Sequence, residues 1–237
     1  MELSKPSVTF RRLLGAIVLL PVVLVVWYDQ KIGGLMVVVL ALFMSVEANR
    51  ITNMPPITGY LVVVLLIAQS IPQWVIDRPV AVTHGGALLV ATMVLVHTKK
   101  NIVALFSGLL SLCLGYATLM LSQPSGHIML VALAAIITAC DSAAYFAGRR
   151  IGGPKLWPQV SPGKTVSGSI AGLIAATGIT LILADVIGFA DQLGALILGL
   201  GLGILAQAGD LLESAIKRWS NTKDSGSILP GHGGMLD

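Results

Sequence analysis

Runs of apolar residues long enough to cross a bilayer fill most of this chain and leave little room for any other kind of structure. They lie near Leu13 to Tyr28, Leu35 to Val46, Thr58 to Trp74, Pro79 to His97, Ile102 to Leu121, Ile128 to Phe146, Val166 to Phe189 and Leu193 to Ala208. Most are about 17 to 25 residues, the length a helix needs to span a hydrocarbon core. The second and the last are shorter and extend through their polar ends. In lipid the backbone must satisfy its own hydrogen bonds, so the pattern predicts an all-α polytopic transmembrane helical bundle of about eight spans. Composition agrees: 55% of the residues are hydrophobic and only 11% charged, against about 25% charged in soluble domains. Mean hydropathy is +0.88.

The basic residues orient the bundle. Lys5, Arg11, Arg12, Arg50, Lys99, Lys100, Arg149, Arg150, Lys155, Lys164, Lys217, Arg218 and Lys223 fall in alternate loops or tails, and the other loops hold only Lys31 and Arg78. Positive charge stays inside, which predicts cytoplasmic termini and places both the 149–165 loop and the tail from Lys217 on the cytoplasmic face. The net charge of +4 reflects this asymmetry and contact with anionic lipid. Nucleic acid is excluded as a partner, because basic and aromatic residues are not interleaved. Cys113 and Cys140 fall inside predicted spans with no metal-type spacing, so neither a disulfide nor a thiolate metal site is expected. The first apolar run ends in Trp27, Tyr28 and Asp29 without a small-residue cleavage site and is read as a retained helix. No internal repeat breaks the chain, and a single integral membrane domain over 1–237 is expected, with generic membrane helices over 1–140 and the chemistry in 141–237. The pairs Gly168 with Gly172 and Gly199 with Gly203 have the GxxxG spacing that lets membrane helices approach closely.

Chemistry concentrates at the two polar blocks. From Gly209 to Asp237 the chain carries Asp210, Glu213, Asp224 and Asp237, hard oxygen ligands of the kind Mg2+ takes. Lys217, Arg218, Lys223 and His232 can meet phosphoryl oxygens. If the last helix continues through Arg218, then Asp210, Glu213, Ser214 and Lys217 share one face. Pro230 with Gly231, Gly233 and Gly234 cannot be helical and offers backbone N–H groups as an anion cradle. A solvated helix with a flexible tail is the bland alternative. His232 has small neighbours and is placed to touch a phosphate or move a proton, whereas His84, His97 and His127 lie near helix ends as interfacial or packing residues.

The second block runs from Asp141 to Gly172. Asp141 follows a long apolar run, where an ionisable side chain is costly without a cavity or partner. Asp141, Ala144, Tyr145 and Gly148 recur at helical spacing, with Arg149 and Arg150 at the cytoplasmic mouth. An interhelical hydrogen bond or ion pair would equally account for Asp141. SPGKTVSGS from Ser161 to Ser169 is not a Walker A loop, because Pro158 stands where that motif needs glycine and no strand is expected before it. It reads as a loop carrying Ser161, Lys164 and Thr165 into a helix N-terminus, which suits either an anion or a plain cap.

The string Ser214, Ile216, Lys217, Arg218, Lys223, Asp224, Ser225, Gly226, Leu229, Pro230, His232, Gly233, Gly234, Met235 and Asp237 resembles the signature of the phosphatidate cytidylyltransferases, or CDP-diacylglycerol synthases. The block from Asp141 to Gly172 is similar to that family's other recurrent segment. Together the two cover roughly the C-terminal half. The resemblance implies transfer of the cytidylyl group of CTP to phosphatidic acid, releasing pyrophosphate, in the inner (cytoplasmic) membrane of a bacterium. It implies membrane lipid as surroundings and Mg2+ or Mn2+ as cofactor, with more than one cation. Oligomeric state is open, a homodimer being one option. Asp210, Lys217, Asp237 and His232 would be catalytic. Ser161, Lys164, Thr165, Arg149, Ser214, Arg218, Lys223, Gly233 and Gly234 would bind substrate, and Asp210, Asp237, Asp141, Asp224 and Glu213 would ligate metal. The family pattern continues past its last Asp with an Arg, another Asp and a final helix. The chain as given stops at Asp237, which leads to the expectation of a cut before that helix, weak turnover and a mobile tail after about Asn221.

Two other functions fit parts of the pattern. A CTP-dependent lipid kinase would use similar acids and bases but release CDP. A transporter would spread charge through mid-helix positions, yet the helices before Cys140 carry almost none. The charge asymmetry makes a direct prediction. In a Cys-free variant, a single cysteine at position 100 or 155 should be protected from an impermeant thiol reagent added to intact cells, and one at position 123 should react. Labelling of position 155 from outside would invert the assignment.

Overall fold

The computed structural model describes residues 30–52, 60, 61, 64, 65, 67, 68, 80–98, 101–188, 191–222, 225, 226 and 234. Helices α1 (Gln30–Thr52), α2 (Val80–Thr98), α3 (Asn101–Leu121), α4 (Gly126–Ile151), α5 (Val166–Ile182) and α6 (Gln192–Trp219) fall on six of the predicted apolar runs. The run from Leu13 to Tyr28 lies outside the described residues, and that from Thr58 to Trp74 is described only at the helical positions 60, 61, 64, 65, 67 and 68. Lys5, Arg11, Arg12, Arg78, Lys99 and Lys100, used for orientation, also lie outside them. Helices α4 and α6, of 26 and 28 residues, are long and apolar enough to cross a membrane, while α1, α2, α3 and α5 carry shorter apolar stretches.

The all-α expectation needs one correction. Between α4 and α5 the chain forms an antiparallel hairpin, β1 (Lys155–Trp157) and β2 (Ser161–Thr165), with Lys155 opposite Thr165 and Trp157 opposite Ser161. SPGKT is therefore a strand and not an irregular loop. Pro154, Pro158 and Pro162 rule out helix across this stretch, and strand pairing satisfies backbone groups that a loop would leave open. The turn into the hairpin depends on glycine: Gly152 and Gly153 have φ of 68° and 100°, and the Gly152 N–H returns to the Gly148 carbonyl at 3.1 Å, a left-handed helix end. At the hairpin's exit Thr165 is the N-cap of α5, accepting from the Gly168 N–H at 3.1 Å. Helix α6 starts on Asp191, whose carboxylate accepts from the N–H groups of Leu193 and Gly194. It ends with Lys217 and Arg218 in its last turn, which favours the helix dipole, and Asn221 follows with φ of 54°.

The described residues form two compact units. In the first, drawn from Met1–His127 and Trp219–Asp237, α2 and α3 make an antiparallel pair with α1 against α3. Their core is Ala48, Val90, Val94, Val103, Leu110 and Leu114. The second, Ile128–Arg218, holds most of α4, the hairpin, α5 and α6.

In the second unit many inward positions hold small residues while many large apolar side chains point outward, although Ile136 and Ile216 are buried. Ala176 and Ala195 are fully buried, whereas Ile174 and Leu205 are each 68% exposed. Apolar surface turned outward suits lipid, and interhelical contact must then come from close packing. The predicted GxxxG pairs supply it. A β-carbon on Gly168 would come within 2.6 Å of the Ala144 carbonyl oxygen, and one on Gly172 within 3.0 Å of that of Cys140, both on α4. On α6, a β-carbon on Gly199 would come within 2.7 Å of the Thr177 Cα, and one on Gly203 within 3.1 Å of the Ala176 Cβ, both on α5. Gly201 has nothing within 4 Å of such an atom. Gly199→Val should therefore destabilise the protein by about 1–3 kcal/mol, and Gly201→Ala should be neutral or stabilising by up to about 1 kcal/mol. Thermal unfolding of the detergent-solubilised protein measures both. Equal effects at the two positions would contradict this packing.

Candidate functional site

The glycine crossings fix the heights of the polar residues in the second unit. Gln207 of α6 reaches back to α5, donating from Nε2 to the Ser169 carbonyl at 3.0 Å, and lies 3.7 Å from the Cys140 Sγ on α4. Gly172 makes room for it, since a β-carbon there would approach Nε2 to 3.1 Å. Asp141 follows Cys140 directly, and Asp210 stands one turn beyond Gln207. The stitch at Gln207 thus brings two carboxylates from different helices to about the same level. Sequence reasoning passed over Gln207 because an amide inside an apolar run carries no charge to mark it.

Lys164 meets these acids from the hairpin. Its ammonium forms an ion pair with the Asp210 carboxylate, with side chains 26% and 46% exposed. Asp141 feels both charges, attracted to Lys164 and repelled by Asp210. Lys164 pairs with Asp210, and Asp141, exposed on α4, lies in the field of both. An exposed pair is only weakly stabilising, so Lys164 can exchange Asp210 for another anion at little cost. The sequence named all three residues but not their partnership, because 46 positions separate Lys164 from Asp210.

The remaining predicted residues sort by what they touch. Helix α6 does continue through Arg218, and its polar face divides into two i,i+4 pairs. Lys217 Nζ donates to Glu213 Oε1 at 2.8 Å, both side chains half-buried, and Ser214 Oγ donates weakly to Asp210 Oδ1 at 3.5 Å. Arg218 donates from Nε to the Val160 carbonyl at 3.3 Å, fastening the end of α6 to the hairpin turn. On α4, Arg149 donates from Nη1 to the Tyr145 Oη at 3.0 Å, and Asp141, Tyr145 and Arg149 form an exposed stripe. Ala144 and Gly148 take the opposite role, lying under Gly168 of α5. Thr165 is buried, and its hydroxyl is engaged by the Gly168 N–H and by Ser167; it caps a helix where the sequence also allowed an anion contact. Ser161 is half-buried on β2 opposite Trp157.

In the first unit, Gly234 is buried against Ser225 and the carboxylate of Glu47. Lys223, Asp224, His232, Gly233 and Asp237 lie outside the described residues. Among the described residues no three His, Cys, Asp or Glu side chains gather as a metal site. Asp141 and Asp210 are nonetheless an apt donor set for Mg2+, which takes one or two carboxylates and completes its shell with water and substrate phosphates. A divalent cation held by both would relieve the repulsion between Asp141 and Asp210.

Comparison with known proteins fits this chemistry. The profile of the Cytidylyltransferase family matches residues 9–237. A protein of Brucella suis named phosphatidate cytidylyltransferase is 46% identical over 128 residues, 52% of this chain and 47% of that protein. One of the same name from Bacillus subtilis is 47% identical over 107 residues, 43% of this chain and 38% of its own length. These two alignments thus take in half or less of each relative. A third of that name, from Staphylococcus saprophyticus, is 32% identical over 238 residues, 97% of this chain and 91% of that protein. With a profile match running almost end to end and an alignment of nearly full length to a named relative, the chain belongs to the cytidylyltransferase family.

Proposed function

We propose that the protein transfers the cytidylyl group of CTP to the phosphate of phosphatidic acid, yielding CDP-diacylglycerol and pyrophosphate. The ion pair between Lys164 and Asp210, with Asp141 in its field, carries this reading, because it joins residues from both polar blocks in one cluster. The names of the relatives from Brucella suis and Staphylococcus saprophyticus supply the substrates. The protein is read as integral to the membrane, with this cluster on the cytoplasmic side where the basic loops lie. Phosphatidate then enters sideways from the lipid, and CTP arrives from water.

A phosphate oxygen of the lipid attacks the α-phosphorus of CTP in line; the bond from that phosphorus to the bridging oxygen breaks, and pyrophosphate leaves. The attacking oxygen is already anionic at neutral pH, so no base needs to remove a proton. Catalysis rests on position and on offsetting negative charge. Lys164 releases Asp210 and pairs with a phosphate, gaining a charge-assisted contact. Asp210 and Asp141 are the proposed ligands of Mg2+, with Mn2+ as a substitute. When bound, the cation withdraws charge from the phosphoryl oxygens. Lys217 and Arg218 hold phosphate oxygens near the end of α6, with Glu213 keeping Lys217 extended, and Ser161, Ser214 and Arg149 line the approach. The roles given to Lys223, Asp224, His232, Gly233 and Asp237, and a second cation, rest on the signature resemblance.

Kinetics with CTP and phosphatidate test the reading. Lys164→Ala should raise the apparent KM for CTP or phosphatidate, with a loss of about 1.5–3 kcal/mol in kcat/KM. Unchanged kinetics in a folded variant would reduce the strand to a scaffold. Asp210→Asn should abolish transfer while leaving expression and the helical circular dichroism signal intact, and excess Mg2+ should restore little. Full activity in Asp210→Asn would displace the metal from this cluster. Release of CDP in place of pyrophosphate would identify a kinase.

A further inference from the structure

Glu47, near the C-terminal end of α1, has no part in the chemistry above, yet it is a carboxylate only 3% exposed. Burial of such a group is expensive unless hydrogen-bond donors meet it. Ser225 of the signature segment supplies one, its Oγ donating to Glu47 Oε2 at 3.1 Å. The chain after α6 arrives along the same helix: Ser220 Oγ donates to the Ile51 carbonyl at 2.6 Å, one of the helix-end carbonyls without an intrahelical partner. Ile51 and Glu47 are one turn apart, so these two contacts lay the segment against α1.

Two glycines complete the arrangement. A β-carbon on Gly226 would run into Oε1 of Glu47 and come within 3.3 Å of the Gly234 Cα. One on Gly234 would lie 2.6 Å from Glu47 Oε1 and would also strike Ser225 Oγ. Gly226 and Gly234 therefore meet each other at the carboxylate. Gly226 and Gly234, eight positions apart in the chain, thus stand at one place. A side chain at either position would have to displace the Glu47 carboxylate.

From this geometry we infer that Glu47 is a positioning residue, clamping together the two chain positions, Gly226 and Gly234, that flank the seven residues including His232. Ser225 and the close backbones of Gly226 and Gly234 are the groups it holds. Bringing these two positions together costs entropy, and contact of both with one buried carboxylate, fixed by the Ser225 hydroxyl, offsets that cost. The glycines serve the clamp by their size, whatever else the segment binds. The catalytic consequence rests on the proposed cytidylyl transfer; the clamp itself does not.

The test uses the full chain in detergent, with Glu47→Ala, Glu47→Gln, Gly226→Ala and the double variant Glu47→Ala/Gly226→Ala. Hydrogen exchange of peptides covering 221–237 should be about ten-fold faster in Glu47→Ala, with 128–218 unchanged. Glu47→Gln keeps an acceptor oxygen of the same reach and should restore much of the protection. CTP-dependent pyrophosphate release should fall about ten-fold in kcat for Glu47→Ala, with a smaller change in KM, and recover in part in Glu47→Gln. Gly226→Ala should slow turnover in the parent but add little on the Glu47→Ala background, since the obstruction is gone. Unchanged exchange over 221–237 in folded Glu47→Ala, or full additivity of the two substitutions, would overturn the clamp. Absence of pyrophosphate release from the parent, with the exchange response intact, would instead sink the cytidylyl reading and leave the clamp standing.

Discussion

Close approach of helix backbones is the constraint on which the second unit depends. In lipid, a leucine gains nothing by turning inward, so helices associate through packing and interhelical hydrogen bonds. Gly168 and Gly172 let α5 rest on carbonyls of α4, and Gly199 and Gly203 let α6 rest on α5. Only at that distance can Gln207 reach the Ser169 carbonyl. The acids that follow, Asp141 next to Cys140 and Asp210 one turn beyond Gln207, are then set by the rigid rise of each helix. Asp141 and Asp210 owe their common level to glycines that never touch them.

The charge distribution follows from that frame. Asp210 pairs with Lys164 from the hairpin, and Glu213 pairs with Lys217 one turn along its own helix. The two pairs differ in what they allow. Lys217 and Glu213 are half-buried and adjacent on one helix, a contact that pre-extends the lysine. Lys164 and Asp210 belong to separate elements and are more open, so their partnership can yield to a stronger anion. The hairpin matters here because a paired strand, braced by the αL turn at Gly152 and Gly153 and the cap at Thr165, holds Lys164 in one place.

A separate economy operates in the first unit. There a carboxylate is withdrawn from water, accepts from a serine hydroxyl and packs against two glycines, so it acts as a structural acceptor. Two glycines of the signature, Gly226 and Gly234, thus serve packing. Sequence reading treats Gly234 as exposed backbone for an anion, yet it is packed tightly against Glu47.

What the sequence determined by itself was everything that repeats along one dimension. Apolar runs placed six described helices, and the GxxxG spacing identified the inward faces of α5 and α6. Asp210, Glu213, Ser214 and Lys217 at i, i+3, i+4 and i+7 foretold the polar face of α6. The long mixed signature pointed to the family. Tertiary structure decided what depends on distant residues meeting. The strand at Ser161–Thr165 emerged because prolines exclude helix and the backbone then needs a partner, which only the neighbouring segment supplies. The Lys164–Asp210 pair and the clamp at Glu47 join positions far apart in the chain. Glu47 and Gln207 escaped notice because each is a single polar residue at or within an apolar run. Its meaning lies in the partner it reaches, and no local period records that.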